Sequence, residues 1–84
     1  MDILKNPTTV KSLAQQIIAA CDSYVALKMP EKQFKELIVH YASQHGKKLF
    51  SHYELNPTIT SRIGKKRVEL VKIMLNSFQS TIIL

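Results

Sequence analysis

Helical periodicity, interrupted by proline, is the feature that most constrains the fold of this chain. Apolar residues recur at steps of three and four in three separate segments, and no segment shows the strict alternation that is typical of a β-strand. The three segments open at Pro7, Pro30 and Pro57, and proline is well tolerated in the first turn of a helix. The pattern therefore predicts an all-α fold: a small three-helix domain with a helical hairpin followed by a long C-terminal helix.

The first two predicted helices form the hairpin. The first covers about residues 7–28, with Asn6 in front of its proline as the N-cap. The second covers about residues 30–45, because the residue before Pro30 is forced out of the helical region and ends the first helix. Gly46 stands where a left-handed C-terminal cap is common. So short a connection makes the two helices antiparallel neighbours.

The rest of the chain is expected to complete one domain over residues 1–84. Residues 47–55 allow either a short helical turn or a loop held against the core. The third helix is predicted over about residues 57–79, opened by an Asn-Pro pair that is typical of a helix start. The last segment, 80–84, is uncharged and β-prone, so we expect it to fold onto the core or to contact another chain.

Composition limits both the size and the location of this domain. With 84 residues, 45% of them hydrophobic, the chain is long enough for one thin core and too apolar for disorder. Its single cysteine, Cys21, lies in an apolar run and is expected to be a buried thiol in a reducing compartment. No signal peptide and no membrane span is visible in the pattern. A cytoplasmic location follows as the prediction.

The residues that carry chemistry are not grouped as an enzyme requires. His40, His45 and His52 are five and seven positions apart, which matches no zinc pattern. The six acidic residues are scattered singly, mostly beside lysines at helical spacing. We therefore predict a non-enzymatic protein with no catalytic residues, no metal, no other cofactor and no small-molecule substrate.

One arginine conflicts with the pattern of the third helix. At 100° per residue, Arg67 falls on the apolar face, between Ile63 and Leu70. In one interpretation its stem lies along the core and its head pairs with a carboxylate such as Glu36 or Glu54. In the other it lies at the rim of a binding groove and holds an anionic partner.

Gly64 is the second irregular position in this helix. Glycine inside a helix costs about 1 kcal/mol relative to alanine, so Gly64 indicates a helix start, a kink or a close approach of another backbone. A turn at Gly64 would leave the first amides of a new helix at Lys65 free to meet a phosphate.

The segment around Gly64 also carries a family resemblance. Residues 58–73 read Thr-Ile-Thr-Ser-Arg-Ile-Gly-Lys-Lys-Arg-Val-Glu-Leu-Val-Lys-Ile. This segment, preceded by a helical hairpin, resembles a family of short, uncharacterised proteins from Firmicutes and their prophages that share a C-terminal Gly-Lys-Lys-Arg and an apolar helix. The resemblance covers residues 8–76 in layout and is specific over residues 62–73. It implies a bacterial or phage origin and no known activity.

The basic balance supports the first functional hypothesis, a nucleic-acid-associated regulator. The formal net charge is +6, and part of it is concentrated between residues 47 and 67, which suits contacts with several phosphates of DNA or RNA. The alternative for the charge is a solubilising surface, since other lysines are spread around all three helices. The predicted nucleic-acid-binding residues are Lys47, Lys48, Arg62, Lys65, Lys66 and Arg67.

Surplus apolar residues support the second hypothesis, a protein-binding adaptor or phage-encoded inhibitor. The third helix and the tail hold more apolar surface than two neighbouring helices can cover, and such surface often meets a partner protein or a second copy in a homodimer. The predicted protein-interface residues are Val68, Ile73, Leu75, Ile82, Ile83 and Leu84.

Overall fold

Most of the described residues are helical. The computed structural model describes residue 3, residues 6–51 and residues 54–83, with side chains described as far as residue 76. Within these ranges there are five helices and one sheet of two very short strands, so the all-α prediction is confirmed. The elements in chain order are α1 (Val10–Val25), α2 (Glu31–Gln44), α3 (Gly46–Leu49), β1 (Phe50–Ser51), β2 (Glu54–Leu55), α4 (Pro57–Ile63) and α5 (Lys65–Ile83).

Helix α1 is shorter than predicted at both ends. Thr9 is extended and its Oγ1 accepts a hydrogen bond from the Ser12 amide at 3.0 Å, so Thr9 is the N-cap and the prediction of Asn6 for that role is wrong. At the other end the helix stops at Val25, because Leu27 adopts a left-handed φ of 62°. The predicted extension to residue 28 is therefore also wrong.

Helices α1 and α2 form the predicted antiparallel hairpin. Near the end of α1 the ring of Tyr24 stacks on Phe34 in the first turns of α2, with ring centroids 4.8 Å apart. At the other end, Asn6 precedes α1 and its Oδ1 lies 3.1 Å from Nε2 of His45, which follows α2. Because the start of each helix lies near the end of the other, α1 and α2 run in opposite directions.

The segment between α2 and α4 combines a helical turn with a small hairpin. Helix α2 ends at His45, whereas Gly46 has a negative φ and begins α3, so the prediction of Gly46 as a left-handed cap is wrong. Strands β1 and β2 are antiparallel, with Phe50 opposite Leu55. The helical turn expected for residues 47–55 is therefore confirmed as far as Leu49, whereas the strands β1 and β2 that follow correspond to neither alternative.

The predicted third helix is two helices. Asn56 caps α4 through an Oδ1 that accepts from the Thr58 amide at 2.9 Å, as the Asn-Pro pair predicts. Gly64, with φ 88° and ψ 159°, ends α4 and accepts the first hydrogen bond of α5 through its carbonyl, from the Val68 amide at 3.0 Å. Helix α5 continues to Ile83, so the prediction of an end at residue 79 is wrong.

The helices pack in two pairs, α1 with α4 and α2 with α5, around one hydrophobic core. Helix α4 lies mainly against α1, and α5 mainly against α2, so the second half of the chain covers the hairpin as expected. The buried apolar side chains are Leu13, Ala14, Ile17, Ala20, Cys21, Met29, Phe34, Leu37, Ile38, Tyr41, Ala42, Leu49, Leu55, Ile59, Ile63, Val71, Met74 and Leu75.

Candidate functional site

Arg67 has a charged partner inside the chain. Its Nε donates to Oδ1 of Asp22 at 3.0 Å and its Nη2 donates to Oδ2 at 3.2 Å, which is the two-donor geometry that suits a guanidinium and a carboxylate. The internal ion pair is therefore the correct interpretation of this arginine. The predicted partners Glu36 and Glu54 are wrong, because the turn at Gly64 directs the start of α5 toward the end of α1 instead.

A third hydrogen bond of the same guanidinium closes the junction between α4 and α5. Nη1 of Arg67 donates to the carbonyl of Ile63 at 2.9 Å. Ile63 is the last residue of α4, where carbonyl groups lack a partner in their own helix. Three donors of Arg67 are thus used within the protein, and fewer remain for a phosphate.

Three other predicted cations lie together on the surface of this junction. Arg62 lies in the last turn of α4, and Lys65 and Lys66 begin α5 on the other side of Gly64. All three side chains are exposed, and within the described part of the chain none of them has an ion-pair partner. We call Arg62, Lys65 and Lys66 the junction cations.

The remaining two predicted cations lie elsewhere. Lys47 and Lys48 belong to α3, where Lys47 is exposed and Lys48 is half-buried. The carbonyl of Lys48 accepts a hydrogen bond from Nδ2 of Asn56 at 3.2 Å, which holds α3 against the start of α4. Arg62 is at the other end of α4, and a helix of that length spans about 10 Å. The predicted basic cluster is therefore split into two groups at opposite ends of α4.

The predicted apolar interface is only partly exposed. Ile73 is 62% exposed, whereas Val68 is half-buried against the core. Leu75 is 2% exposed, so the expectation that it contributes to an exposed strip is wrong: the turn at Gly64 rotates α5 and brings Leu75 into the core. The side chains of Ile82, Ile83 and Leu84 lie outside the described residues.

An open cleft of about 530 Å³ lies between the end of α1 and the α4–α5 junction. We call it the junction cleft. The Asp22–Arg67 ion pair forms part of its wall, and Lys65 and Lys66 line it on the side of α5. Its other lining residues are mainly apolar: Cys21, Val25, Ala26, Ile63 and Leu70.

A second open cleft, of about 610 Å³, lies between the β1–β2 hairpin and α5. We call it the hairpin cleft. Phe50, Leu55 and the exposed Ile73 give it apolar walls, and Glu54 and Lys72 add charged groups of both signs. The hairpin cleft is thus more polar than the junction cleft, and its charged residues have opposite signs.

Two histidines converge on one amide, an arrangement that the sequence spacing did not reveal. Nε2 of His40 and Nε2 of His45 lie 3.3 Å and 3.1 Å from Oδ1 of Asn6, and the two rings are in edge contact. The spacing of five in α2 places the two rings near each other, but only the path of the chain before α1 brings the amide between them. Asn6 thus links the segment directly before α1 to the end of α2.

Cys21 is a structural residue. Its side chain is fully buried, and this burial raises the pKa of the thiol from 9.0 to about 11; Arg67 lowers that pKa and Asp22 raises it, both by smaller amounts. A thiol is nucleophilic only when it is deprotonated, so Cys21 is unreactive near neutral pH. The prediction of a buried, hydrophobic cysteine is confirmed.

Two further features bear on the class of protein. Within residues 6–51 and 54–76, no three His, Cys, Asp or Glu side chains are grouped as metal ligands would be. No described helix has the length together with the apolar character that crossing a bilayer requires.

The fold and the site define a small, basic, all-α domain with clustered surface cations beside an apolar cleft. Over residues 4–76 the sequence matches a protein-family model described as a conserved hypothetical protein. This match covers most of the chain, so the protein belongs to that family, in agreement with the expected resemblance to an uncharacterised family. Searches of the curated proteins and of the solved structures found no match.

Proposed function

We propose that this protein is a non-enzymatic, nucleic-acid-associated regulator of bacterial or phage origin that acts in the cytoplasm. The observation that carries the proposal is the exposure of Arg62, Lys65 and Lys66 on both sides of one helix break. Because Arg67 holds Asp22, that acidic residue does not neutralise the neighbouring lysines. The junction cations therefore present positive charge to a polyanion.

The spacing of the basic groups suits a phosphate backbone. Lys47 and Lys48 lie at the start of α4 and the junction cations lie at its end, about 10 Å away along the helix. Contacts of this kind position a protein on nucleic acid without reading its sequence. The proposal is therefore non-specific or weakly specific binding to DNA or RNA through the backbone.

Fluorescence anisotropy with a labelled DNA duplex and with a labelled single-stranded RNA tests this proposal. If three phosphates are contacted, the expected affinity falls between 50 and 200 mM salt by about 40-fold for the duplex, at a slope of about −0.9 per phosphate, and by about 20-fold for the single strand, at a slope of about −0.7. Substituting Arg62, Lys65 and Lys66 together by Ala is expected to abolish most of that salt dependence.

A matched control separates a site from bulk charge. Substitution of the exposed Lys11, Lys32 and Lys35 by Ala removes an equal number of positive charges, but from α1 and α2. This control is expected to bind nearly as the unmodified chain does. The proposal is wrong if neither nucleic acid shows salt-sensitive binding, or if both triple variants lose affinity equally.

A second candidate function is a protein-binding adaptor or inhibitor that uses the apolar face of α5 and the C-terminal tail, alone or as a homodimer. The exposure of Ile73 at the edge of the hairpin cleft favours it. Light scattering of the full chain and of a chain cut after Gln79 tests the homodimer. A monomer in both cases, together with no protein recovered in a pull-down, contradicts this candidate.

A further inference from the structure

The junction cleft combines an apolar interior with cations at one side. Cys21, Val25 and Ala26 contribute its α1 wall, while Ile63 and Leu70 contribute the opposite wall. A volume of about 530 Å³ falls within the range of natural binding clefts and exceeds what a single apolar side chain occupies. An open apolar cleft of this size is suited to a side chain from another molecule.

Leu27 follows the cleft residue Ala26 in the sequence, and its backbone conformation goes against a local preference. The Leu27 amide donates to the Tyr24 carbonyl at 3.1 Å and the Lys28 amide to the Ser23 carbonyl at 2.8 Å, which is the hydrogen-bond pattern of a Schellman C-cap. The residue in the left-handed position of that cap is normally glycine, whereas here it is a leucine with φ 62°.

The side chain of this leucine does not contribute to the core. Leu27 is 91% exposed and Val25, two residues earlier on the cleft wall, is 66% exposed. A strained backbone position that holds an apolar side chain in solvent gains nothing for the folded monomer, and such positions are frequent at binding sites. Val25 is therefore an exposed part of the cleft wall, and Leu27, next in sequence to the lining residue Ala26, adds exposed apolar surface after the end of α1.

Charge decides which kind of partner fits this surface. Lys65 and Lys66 line the cleft with no acidic partner in the described part of the chain, and the acid on its wall, Asp22, is already held by Arg67. A second copy that used the same face in a two-fold dimer would bring the same lysines to the interface, and like charges at a contact are unfavourable. Acidic residues beside an apolar anchor would be complementary.

We propose that the junction cleft binds an acidic, amphipathic segment of a partner protein. One apolar side chain of the segment enters the cleft, Val25 and Leu27 pack against its apolar face, and its carboxylates face Lys65 and Lys66. This site overlaps the phosphate contacts of the proposed function at these two lysines, so the segment and a nucleic acid would exclude each other there.

A synthetic peptide provides the probe. It has about four helical turns, with leucines at steps of three and four on one face and glutamates elsewhere. Amide NMR spectra of the full-length chain are recorded with increasing peptide. Signals of residues 20–28 and 63–70 are expected to shift, and peptides with Leu→Ser or Glu→Gln changes are expected to bind at least about ten-fold more weakly.

Variants of the chain test the geometry. Leu27→Ala and Val25→Ala are expected to lower the affinity for the peptide by about ten-fold, because each removes apolar contact area without a new charge. The matched control is Ile73→Ala, which truncates an exposed apolar residue at the hairpin cleft and should leave the affinity unchanged. Thermal unfolding of each variant verifies that the fold is retained.

Three outcomes overturn the proposal. The first is an absence of peptide-induced shifts in residues 20–28 and 63–70. The second is an equal loss of affinity in Ile73→Ala and Leu27→Ala. The third is self-association of the full chain in light scattering that Leu27→Ala abolishes, since the occupant of the cleft is then a second copy. None of these readouts uses nucleic acid, so failure here is separate from failure of the proposed function.

Discussion

The guanidinium group of Arg67 holds the carboxylate of Asp22, although the two residues are 45 positions apart in the sequence. The bond joins the first turn of α5 to the last turns of α1 and forms a wall of the junction cleft. Both side chains are partly exposed, 37% for Arg67 and 54% for Asp22. Solvent screens such a pair, so its geometry contributes more to the position of α5 than to stability.

Substitution of Asp22 and Arg67, singly and together, measures how much the interaction between the two side chains stabilises the fold. Asp22→Asn removes the charge and keeps the shape, and Arg67→Met removes the charged head but keeps most of the apolar stem. Each variant is expected to lose about 1 kcal/mol in urea unfolding, and the double-mutant cycle should give a coupling of about 0.5–1 kcal/mol. Glu36→Gln is the control, because it removes an exposed acid that has no ion pair within the described residues. A coupling of zero would contradict the expected contribution of the pair to stability.

The two glycines are expected to respond in opposite directions to alanine. Nothing lies within 4 Å of a Cβ placed on Gly64, so only its φ of 88° resists substitution, and Gly64→Ala should cost about 1–3 kcal/mol. Gly46 has a negative φ, and its added Cβ would only touch the Phe50 ring at 4.0 Å. Gly46→Ala should therefore stabilise the fold by up to about 1 kcal/mol. Thermal unfolding of the two variants checks both signs, and a destabilised Gly46→Ala would refute the comparison.

Periodicity in the sequence was sufficient to predict the all-α class and most of the core, although not the division of the predicted third helix into α4 and α5. Leu13, Ile17, Phe34 and Ile38 recur at helical spacing and all are buried. Helix ends were harder to place, because several residues near each end can cap a helix. Asn6 and Thr9 are both suitable N-caps three positions apart, and the structure uses Thr9 while Asn6 contacts two histidines.

The site depends on contacts that no local pattern reveals. An arginine on an apolar face indicates a need for a partner, but the choice of Asp22 follows from the direction of α5, which the single residue Gly64 determines. The same turn buries Leu75 and leaves Ile73 exposed. The left-handed cap of α1 was also hidden from the sequence, because Leu27 occupies the position where glycine is usual.

Replacement of Leu27 by glycine is expected to stabilise the folded chain. The left-handed φ of 62° costs a residue with a Cβ about 1–2 kcal/mol, and glycine does not carry that cost. Part of the gain is lost because glycine has more freedom in the unfolded state, which leaves an expected increase of about 0.5–1 kcal/mol in urea unfolding. The control Leu27→Ala keeps the Cβ and should change stability by less than about 0.5 kcal/mol. Equal effects of Gly and Ala would show that the backbone is not strained.

Alkaline pH is expected to weaken the fold through the Cys21 thiol. Burial raises its pKa from 9.0 to about 11, so between these values the folded thiol keeps a proton that the unfolded chain has lost. Because the unfolded state binds fewer protons there, stability falls as the pH rises, by about 1.4 kcal/mol for each pH unit.

The variant Cys21→Ala separates the contribution of Cys21 from that of Tyr41. Burial raises the pKa of Tyr41 to about 12, and the original chain and the variant share this tyrosine. Near pH 8 the variant is expected to be less stable by about 1 kcal/mol, because the smaller side chain leaves space in the core. By about pH 10.5 the original chain should have lost about 2 kcal/mol that the variant retains, so the order of stability reverses. Urea unfolding at the two pH values gives the free energy of unfolding of the original chain and of the variant. The effects of tyrosine and lysine ionisation cancel in the difference between the two. A difference that does not vary with pH would mean that the Cys21 thiol ionises equally easily in the folded and unfolded chains.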